Sequence, residues 1–562
     1  MIRDTKTRLD VVYAVARSIA VVSVVFSLVV AVFLVMNFLR RDSAPLQESV
    51  GLDRLRTELR GNPGDSELRQ QIQALDTLAR RAFFTSVTFA TNGALLLCGG
   101  LAILMVSLKT MGTIQKRLPD PGKFSADDDV GADDKYGRRA IGGAAAVLVV
   151  ICIAVVLTVK SHLSPGDDGI APAREPYVPS DEDVFRNWPG FRGPRGIGVA
   201  HCTNVPVQWD GKTGENVRWE VEVPLSGFSS PVVWGTHLFL TGGDEKSLMI
   251  LCYDTDTGKL LWRREVDDGG PPEKLPKGTE DTGYAAATMA TDGRRAFAIF
   301  ATGDLLCTDF DGNVMWSRNL GFPKSTYGYA SSLITHAGLL FVQYDEADNP
   351  RLIAMDAHSG RTKWETKRKV DESWASPILV DNAGRIELVL NANPLVAGYD
   401  PDTGREIWST NCMERDVAPS PAFAGGIVYA TTEYSILAAI KPGVPAQILW
   451  QTDEDLPSVS SPVAVGDYLF LADGGIVTCF DRTTGTVHWK QKFDTGFYSS
   501  PVYAEGRIYL VDEAGVMHVL AADKEFKLLA SSRLSGKSVC TPAFMEGRIY
   551  IRGNKTLCCV EE

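Results

Sequence analysis

Short runs in which apolar and polar residues alternate, broken by turns rich in Gly and Asp, fill the chain from about residue 215 to its end. Ser460 to Gln491 displays the unit. Val463 to Val465 is a first run, and Gly466-Asp467 is a hairpin turn. Tyr468 to Ala472 is a second run, Asp473-Gly474-Gly475 turns again, and Ile476 to Phe480 is a third. The polar turn Asp481 to Gly485 leads into a fourth that begins Val487-His488-Trp489. Period-two alternation bounded by such turns predicts four short antiparallel strands in one small twisted sheet.

The unit recurs. An Asp-x-x-Thr-Gly turn followed by Trp appears at Asp254 to Trp262 and Asp400 to Trp408, with looser copies at Asp309 to Trp316, Asp356 to Trp364 and Ile440 to Trp450. A strand opener recurs as Ser230-Pro231, Ser376-Pro377, Ser420-Pro421, Ser461-Pro462, Ser500-Pro501 and Thr541-Pro542, with degenerate openers near Ala285 and Ser331. Trp219, Trp262, Trp316, Trp364, Trp408, Trp450 and Trp489 stand 43, 54, 48, 44, 42 and 39 residues apart. Four strands every 40–50 residues predict an all-β, eight-bladed β-propeller of four-stranded antiparallel blades. The eighth blade has room for three strands only, so the strand around Trp219 is expected to complete it and close the ring, which removes exposed sheet edges.

The first third follows a different pattern. Three uncharged apolar runs, 18–39, 82–108 and 140–159, are each long enough to predict a transmembrane helix. Between the first two, Leu52, Leu55 and Leu59, then Leu68, Ile72, Leu75 and Leu78, fall on helical faces and predict a helical hairpin over 46–81. That hairpin either extends the membrane bundle or packs on a partner. The region 161–186 is rich in Pro, Asp and Gly and reads as a flexible tether. The expected organisation is a membrane anchor (1–160), the tether (161–186) and the propeller (187–562). Seven Lys and Arg between Lys109 and Arg139 put that loop in the cytoplasm, so the propeller is expected on the outer, periplasmic side of the inner membrane, although the 46–81 hairpin and its flanks carry eight Arg on that side.

Net charge is −12, which opposes a nucleic-acid partner. Cys252, Cys307, Cys479 and Cys559 share one repeat position, filled elsewhere by Ala354, which fits small buried residues and not ligands. No CxxC or His/Cys cluster has metal spacing, and none of the seven His lies in a nucleophile motif with Ser or Cys. The acidic turns lack the closing Glu of a calcium loop. Before several openers stands an aromatic: Phe228, Tyr284, Tyr329, Trp374 and Tyr498. If first strands line the axis, these five gather at one mouth of the central channel and suit peptide or glycan binding; otherwise they plug the channel or pack between blades.

The repeats, with Asp254 to Trp262 and Asp481 to Trp489 as the closest copies, and the opening Trp188-Pro189-Gly190-Phe191-Arg192-Gly193-Pro194, resemble the PQQ-like β-propeller family over about residues 187–562. The resemblance implies that the seven Trp dock one blade on the next. It leaves two branches. One is quinone enzymes holding PQQ and calcium on the axis, with a vicinal disulfide above. The other is non-enzymatic propellers such as the BamB-type component of outer-membrane-protein assembly, which bind proteins or peptides. Cys558-Cys559, the adjacent pair here, sits in the last strand and not over the axis, the blades are short, and no CxxCH haem site is present. The reading is therefore a membrane-anchored protein-binding scaffold with no catalytic residue. A PQQ-dependent dehydrogenase is the alternative, and a carbohydrate or small-ligand sensor a further one.

Overall fold

A blade is stable only when both faces of its middle strands are covered, and the burial follows that demand. In the second and third strands nearly every residue is buried, as in Leu469–Ala472 and Val477–Phe480, whereas the fourth strands alternate exposed and half-buried positions. The computed structural model describes residues 13, 15–31, 97, 99–100, 103–112, 177–266 and 282–562. The chain divides into two compact units, Met1–Asp168 and Gly169–Glu562.

The second unit contains eight four-stranded antiparallel sheets, so the blade count read from the sequence stands. Blade one runs Val232–Trp234, His237–Gly243, Leu248–Asp254 and Leu260–Glu265. Blades two to seven repeat this order along the chain, their first strands starting at Ala290, Ile334, Ile378, Ala422, Val463 and Val502. Blade eight consists of Ala543–Met545, Arg548–Arg552 and Thr556–Glu561, closed by Val217–Glu222 from the front of the chain. The expected ring closure is thus the observed one.

The repeated tryptophan lies directly opposite the repeated small residue: Cys252 faces Trp262, Cys307 faces Trp316, Ala354 faces Trp364, Cys479 faces Trp489 and Cys559 faces Trp219. The register shifts at this position in every blade, and six of the seven indoles reach the neighbouring blade. There the Nε1–H donates to a backbone carbonyl: Trp219 to Thr255, Trp262 to Phe310, Trp316 to Ala357, Trp364 to Pro401, Trp450 to Arg482 and Trp489 to Asp523, at 2.7–3.1 Å. Five of these rings lie on the Gly of the next blade's turn: Gly258, Gly312, Gly360, Gly404 and Gly485, all with positive φ. Trp408 departs from the expected docking role. Its Nε1 donates 2.6 Å to Glu387 of its own blade, and its ring covers Gly398. The buried Glu387 carboxylate, present in its own blade, takes the N–H that elsewhere reaches the next blade's turn.

Gly312 makes the docking testable. At φ +81° an added Cβ would stand 2.7 Å from Cδ2 of Trp262. Gly426 has a similar φ of +78° but nothing within 4 Å. Gly312→Ala is expected to destabilise the propeller by about 2 kcal/mol, from backbone strain plus overpacking. Gly426→Ala should cost about 1 kcal/mol or less, from strain alone. Urea midpoints at constant m compare the two; equal losses would mean that the indole contact carries no energy.

The expected tether 161–186 is described only from residue 177, and its end is not extended. Asp181–Arg186 is a short helix, capped where the Asp183 N–H donates 3.1 Å to Ser180 Oγ, with Asp181 and Glu182 complementing its dipole. The guanidinium of Arg294 lies over the ring of Tyr177 at 3.9 Å, which fastens this segment to blade two.

In the first unit, residues 15–31 and 103–112 are helical. The expected spans 18–39 and 82–108 are described only in part, and 140–159, like the hairpin 46–81, lies outside the described residues. No helix among the described residues is long and apolar enough to cross a membrane, so the three expected spans are not found. The described helical stretch 15–31 is shorter than the ~20 residues that a bilayer core demands. The faces are nonetheless inverted relative to a water-soluble bundle. Ala16, Ala20, Ser23, Ser27 and Ser107 are buried, while Val22, Leu28, Met105 and Val106 are 63–67 % exposed.

Candidate functional site

Around the axis, each blade contributes one hydroxyl in or beside its opener, and the eight form a closed ring. The backbone N–H of Ser230 donates to Thr288 Oγ1, Thr288 to Ser332, Ser332 to Ser376, Ser376 to Ser420, Ser420 to Ser461, Ser461 to Ser500, Ser500 to Thr541, and Thr541 back to Ser230. All eight bonds measure 2.9–3.1 Å, and all eight side chains are at most 6 % exposed. The sequence marks these residues as strand openers. It does not reveal that every hydroxyl ties its blade to the preceding one.

The ring surrounds a cavity of about 600 Å³. Because side chains alternate along an extended strand, the residue two before each hydroxyl faces the same space. Phe228, Ala286, Ala330, Trp374, Ala418, Val459, Tyr498 and Val539 all line it. Of the five aromatics expected at the channel, Phe228, Trp374 and Tyr498 stand at this offset and do line the cavity. Tyr284 and Tyr329 do not. They precede their hydroxyls by four and three residues, and lie buried between blades, with Tyr329 stacked on Tyr344 at 5.1 Å. Desolvation there pushes the Tyr329 phenol well above its ordinary pKa.

Loops supply what the strands do not. Tyr327 packs edge-on against Trp374 at 4.9 Å, and the Trp374 Nε1–H donates 3.1 Å to the Gly328 carbonyl, so both rings are held. Tyr434 and Tyr498 are 50 % and 47 % exposed, and Val459 is 40 % exposed. Asp416, Glu433 and Glu513 bring three carboxylates, and among the described residues no Lys or Arg lines the cavity. Sequence reasoning missed Tyr327 and Tyr434, whose loops carry no repeat signal.

The opposite end of the axis is closed by the segment Trp188 to Ala200. Trp188 pairs with Val233 of blade one, and Val199 pairs with Tyr503 of blade seven. Between them Arg192, fully buried, donates from Nη1 to the Pro421 carbonyl at 2.9 Å and from Nη2 to those of Pro462 and Ile197. Burial without a carboxylate partner lowers its guanidinium to about 9, so it remains a cation at neutral pH. Phe191 lines the cavity from this end.

A second constellation also escaped the sequence. His518 and Ser531 are directly opposite in blade seven, and the imidazole contacts Ser531 Oγ through Nδ1 at 3.1 Å and Asp512 Oδ2 through Nε2 at 3.2 Å. With Phe493 at 4.6 Å and both nitrogens engaged, this is a satisfied, packed histidine in a cross-strand pair.

The residues do not fit PQQ with calcium. A tricarboxylate quinone would enter a cavity whose described lining holds three carboxylates and no cation. Among the described residues no group of His, Cys, Asp or Glu is arranged to hold a metal ion. Cys558 and Cys559 are free thiols on a strand of blade eight, and Asp254 spends its Oδ1 on the N–H groups of Asp256 and Thr257 and the Thr257 hydroxyl.

Comparison with known proteins agrees with this architecture. Outer membrane protein assembly factor BamB of Yersinia pestis is 23 % identical over 290 residues, which is 48 % of this chain and 72 % of that protein. The same factor from Salmonella typhimurium is 25 % identical over 261 residues, 43 % of this chain and 64 % of that protein. Among solved structures, a europium-containing methanol dehydrogenase superposes with a TM-score of 0.53 at 10 % identity, over 67 % of this chain and 92 % of the other, a likeness of fold alone. The family model described as outer membrane protein assembly factor BamB matches residues 198–331, 250–473 and 445–526, more than half of the 562 residues, and the chain belongs to that family of PQQ-like repeat propellers.

Proposed function

We propose that this protein is a non-enzymatic scaffold of the cell envelope, whose propeller captures polypeptide segments at the open mouth of its axis during outer-membrane protein assembly. The observation that carries the reading is the mouth itself. Half-exposed Tyr434 and Tyr498 and the braced pair Tyr327–Trp374 stand on a ring held by eight interlocked hydroxyls. Rigid amphipathic rings offer contact area at little entropic cost, which suits recognition of varied polypeptides. The name carried by the two relatives supplies the assembly context.

The same reading holds the N-terminal unit in the inner membrane, with the propeller on the periplasmic side. Its support is the inverted helix pattern, small residues inward and large apolar ones outward, which lipid contact requires and water penalises. Persistence of the full chain in membranes washed with alkaline carbonate is the expected result; release into the wash would remove the anchor.

The main test places a photo-crosslinking amino acid at Tyr498 and, as a control, at Val487 on an outer strand. Adducts with outer-membrane proteins in living cells are expected from position 498 and not from 487. They should fall at least ten-fold when Trp374→Ala and Tyr434→Ala are combined with the probe, since buried aromatic anchors dominate such interfaces. Equal adducts from both positions, or none from 498, would remove the mouth as the binding site.

A further inference from the structure

The binding reading leaves open what kind of segment the mouth prefers, and the lining residues answer it. We infer that the mouth selects polypeptide segments bearing Lys or Arg, whose cationic heads seat among Asp416, Glu433, Glu513 and the faces of Tyr434 and Tyr498. This inference rests on the scaffold reading above and adds the chemistry of its ligand.

Three observations converge on it. The first is charge. Asp416, Glu433 and Glu513 come from the approaches to three different places in the ring, in blades five and seven, yet face one cavity. None of them forms an ion pair among the described residues. Carboxylates gathered in a cleft with low-dielectric walls, with no cation among its described lining residues, focus a negative potential outward. The second is a seat already taken by a cation. The Arg415 guanidinium of this chain lies over the Tyr434 ring, 5.5 Å from its centroid. A second cation of similar geometry can use the neighbouring aromatic faces in the same way.

The third observation is the wall beneath. The eight ring hydroxyls are buried, line this cavity and accept a backbone N–H each, while none donates to another group of the described chain. Their protons can rotate, so each oxygen can present a lone pair or a proton to whatever enters. Such a wall suits a peptide, which brings amide donors and acceptors along with its side chains. Closure of the far end by Phe191 and Arg192 makes the site a pit entered from one side, so a loop or chain end is inserted and not threaded through.

The test uses the full chain in detergent micelles and two fluorescent nine-residue peptides that differ only in charge. Both alternate Gly with Phe and carry either three Lys or three Glu. Fluorescence anisotropy at low and moderate salt is expected to give at least ten-fold tighter binding of the Lys peptide, with the preference shrinking as salt rises. Combining Asp416→Asn, Glu433→Gln and Glu513→Gln should erase that preference while leaving the urea midpoint unchanged, because these side chains hold no ion pair. Equal affinity for both peptides, lost for both in Trp374→Ala, would overturn the charge selectivity and leave the scaffold reading intact. Binding of neither peptide would overturn both. A Lys preference that survives the triple substitution would overturn the assignment to these three carboxylates.

Discussion

Arg368→Ala is expected to destabilise the propeller by about 3–5 kcal/mol, a larger loss than any surface substitution in this chain. The side chains of Arg368 and Asp345 are both wholly inaccessible and form an ion pair between Nη1 and Oδ2. The same Oδ2 accepts from Gln343 Nε2 at 2.7 Å and from Ser373 Oγ at 3.0 Å, and Gln343 reaches on to the Asn391 carbonyl of blade four. Arg368 Nε donates to the Tyr399 hydroxyl, also of blade four. Burial by itself pulls the guanidinium pKa down, but the Asp345 carboxylate and the Tyr399 hydroxyl together more than offset this and the net direction is up. The network therefore pins blade three to blade four. Removing the arginine strands a buried carboxylate with its remaining donors, and that uncompensated charge sets the size of the loss. Arg368→Met combined with Asp345→Leu discriminates the cause: it should recover most of the stability, because an apolar pair of similar volume avoids both desolvation penalties. Denaturant midpoints followed by tryptophan fluorescence give both values. A loss below about 1 kcal/mol for Arg368→Ala would mean that water reaches the pair.

What could be read in the sequence was whatever repeats. The Trp spacing gave the blade period, the pattern around Trp219 gave the ring closure, and the shared position of Cys252, Cys307, Cys479 and Cys559 gave small buried residues, which pair opposite the indoles. What could not be read breaks the repeat. Trp408 turns back on its own blade because the buried Glu387 carboxylate there accepts its N–H, a partner that no repeat position announces. Tyr284 and Tyr329 were placed at the channel because the openers of blades two and three are degenerate. Aligned on Thr288 and Ser332 instead, they fall at offsets of four and three residues, and Ala286 and Ala330 take the channel positions. A one-residue slip within a period-two pattern reverses the face that Tyr329 meets, whereas Tyr284, in phase but two residues farther from the ring than Ala286, packs among buried residues of blades one and two. The loop residues Tyr327, Asp416, Glu433 and Tyr434 belong to no period, so only the fold brings them together.

The other large effect concerns Arg192, for which Arg192→Ala should cost about 3 kcal/mol. This arginine has no carboxylate partner among the described residues; its acceptors are backbone carbonyls of the Pro421 and Pro462 openers and of Ile197. Charge-assisted bonds to carbonyls contribute about 1.5–3 kcal/mol each, and truncation also leaves those acceptors dry at the closed end of the axis. Relief from burying a cation opposes the loss, which is why the expected value stays below the sum of the bonds. The pH dependence separates this arrangement from an ion pair. The folded-state pKa is lowered to about 9, below the unfolded value, so the side chain is protonated in both states up to about pH 8 and folding changes no proton count there. The difference between the native and Arg192→Ala chains should therefore be flat from pH 5 to 8. Above about 9 the folded chain releases the proton first, so the native protein should gain stability relative to the variant as pH rises further. A difference that instead shrinks as pH falls toward 4 would reveal a carboxylate partner, because protonating it would dissolve the pair. Arg192→Lys should recover little, since a single ammonium cannot span the two carbonyls that the guanidinium fork bridges across blades five and six.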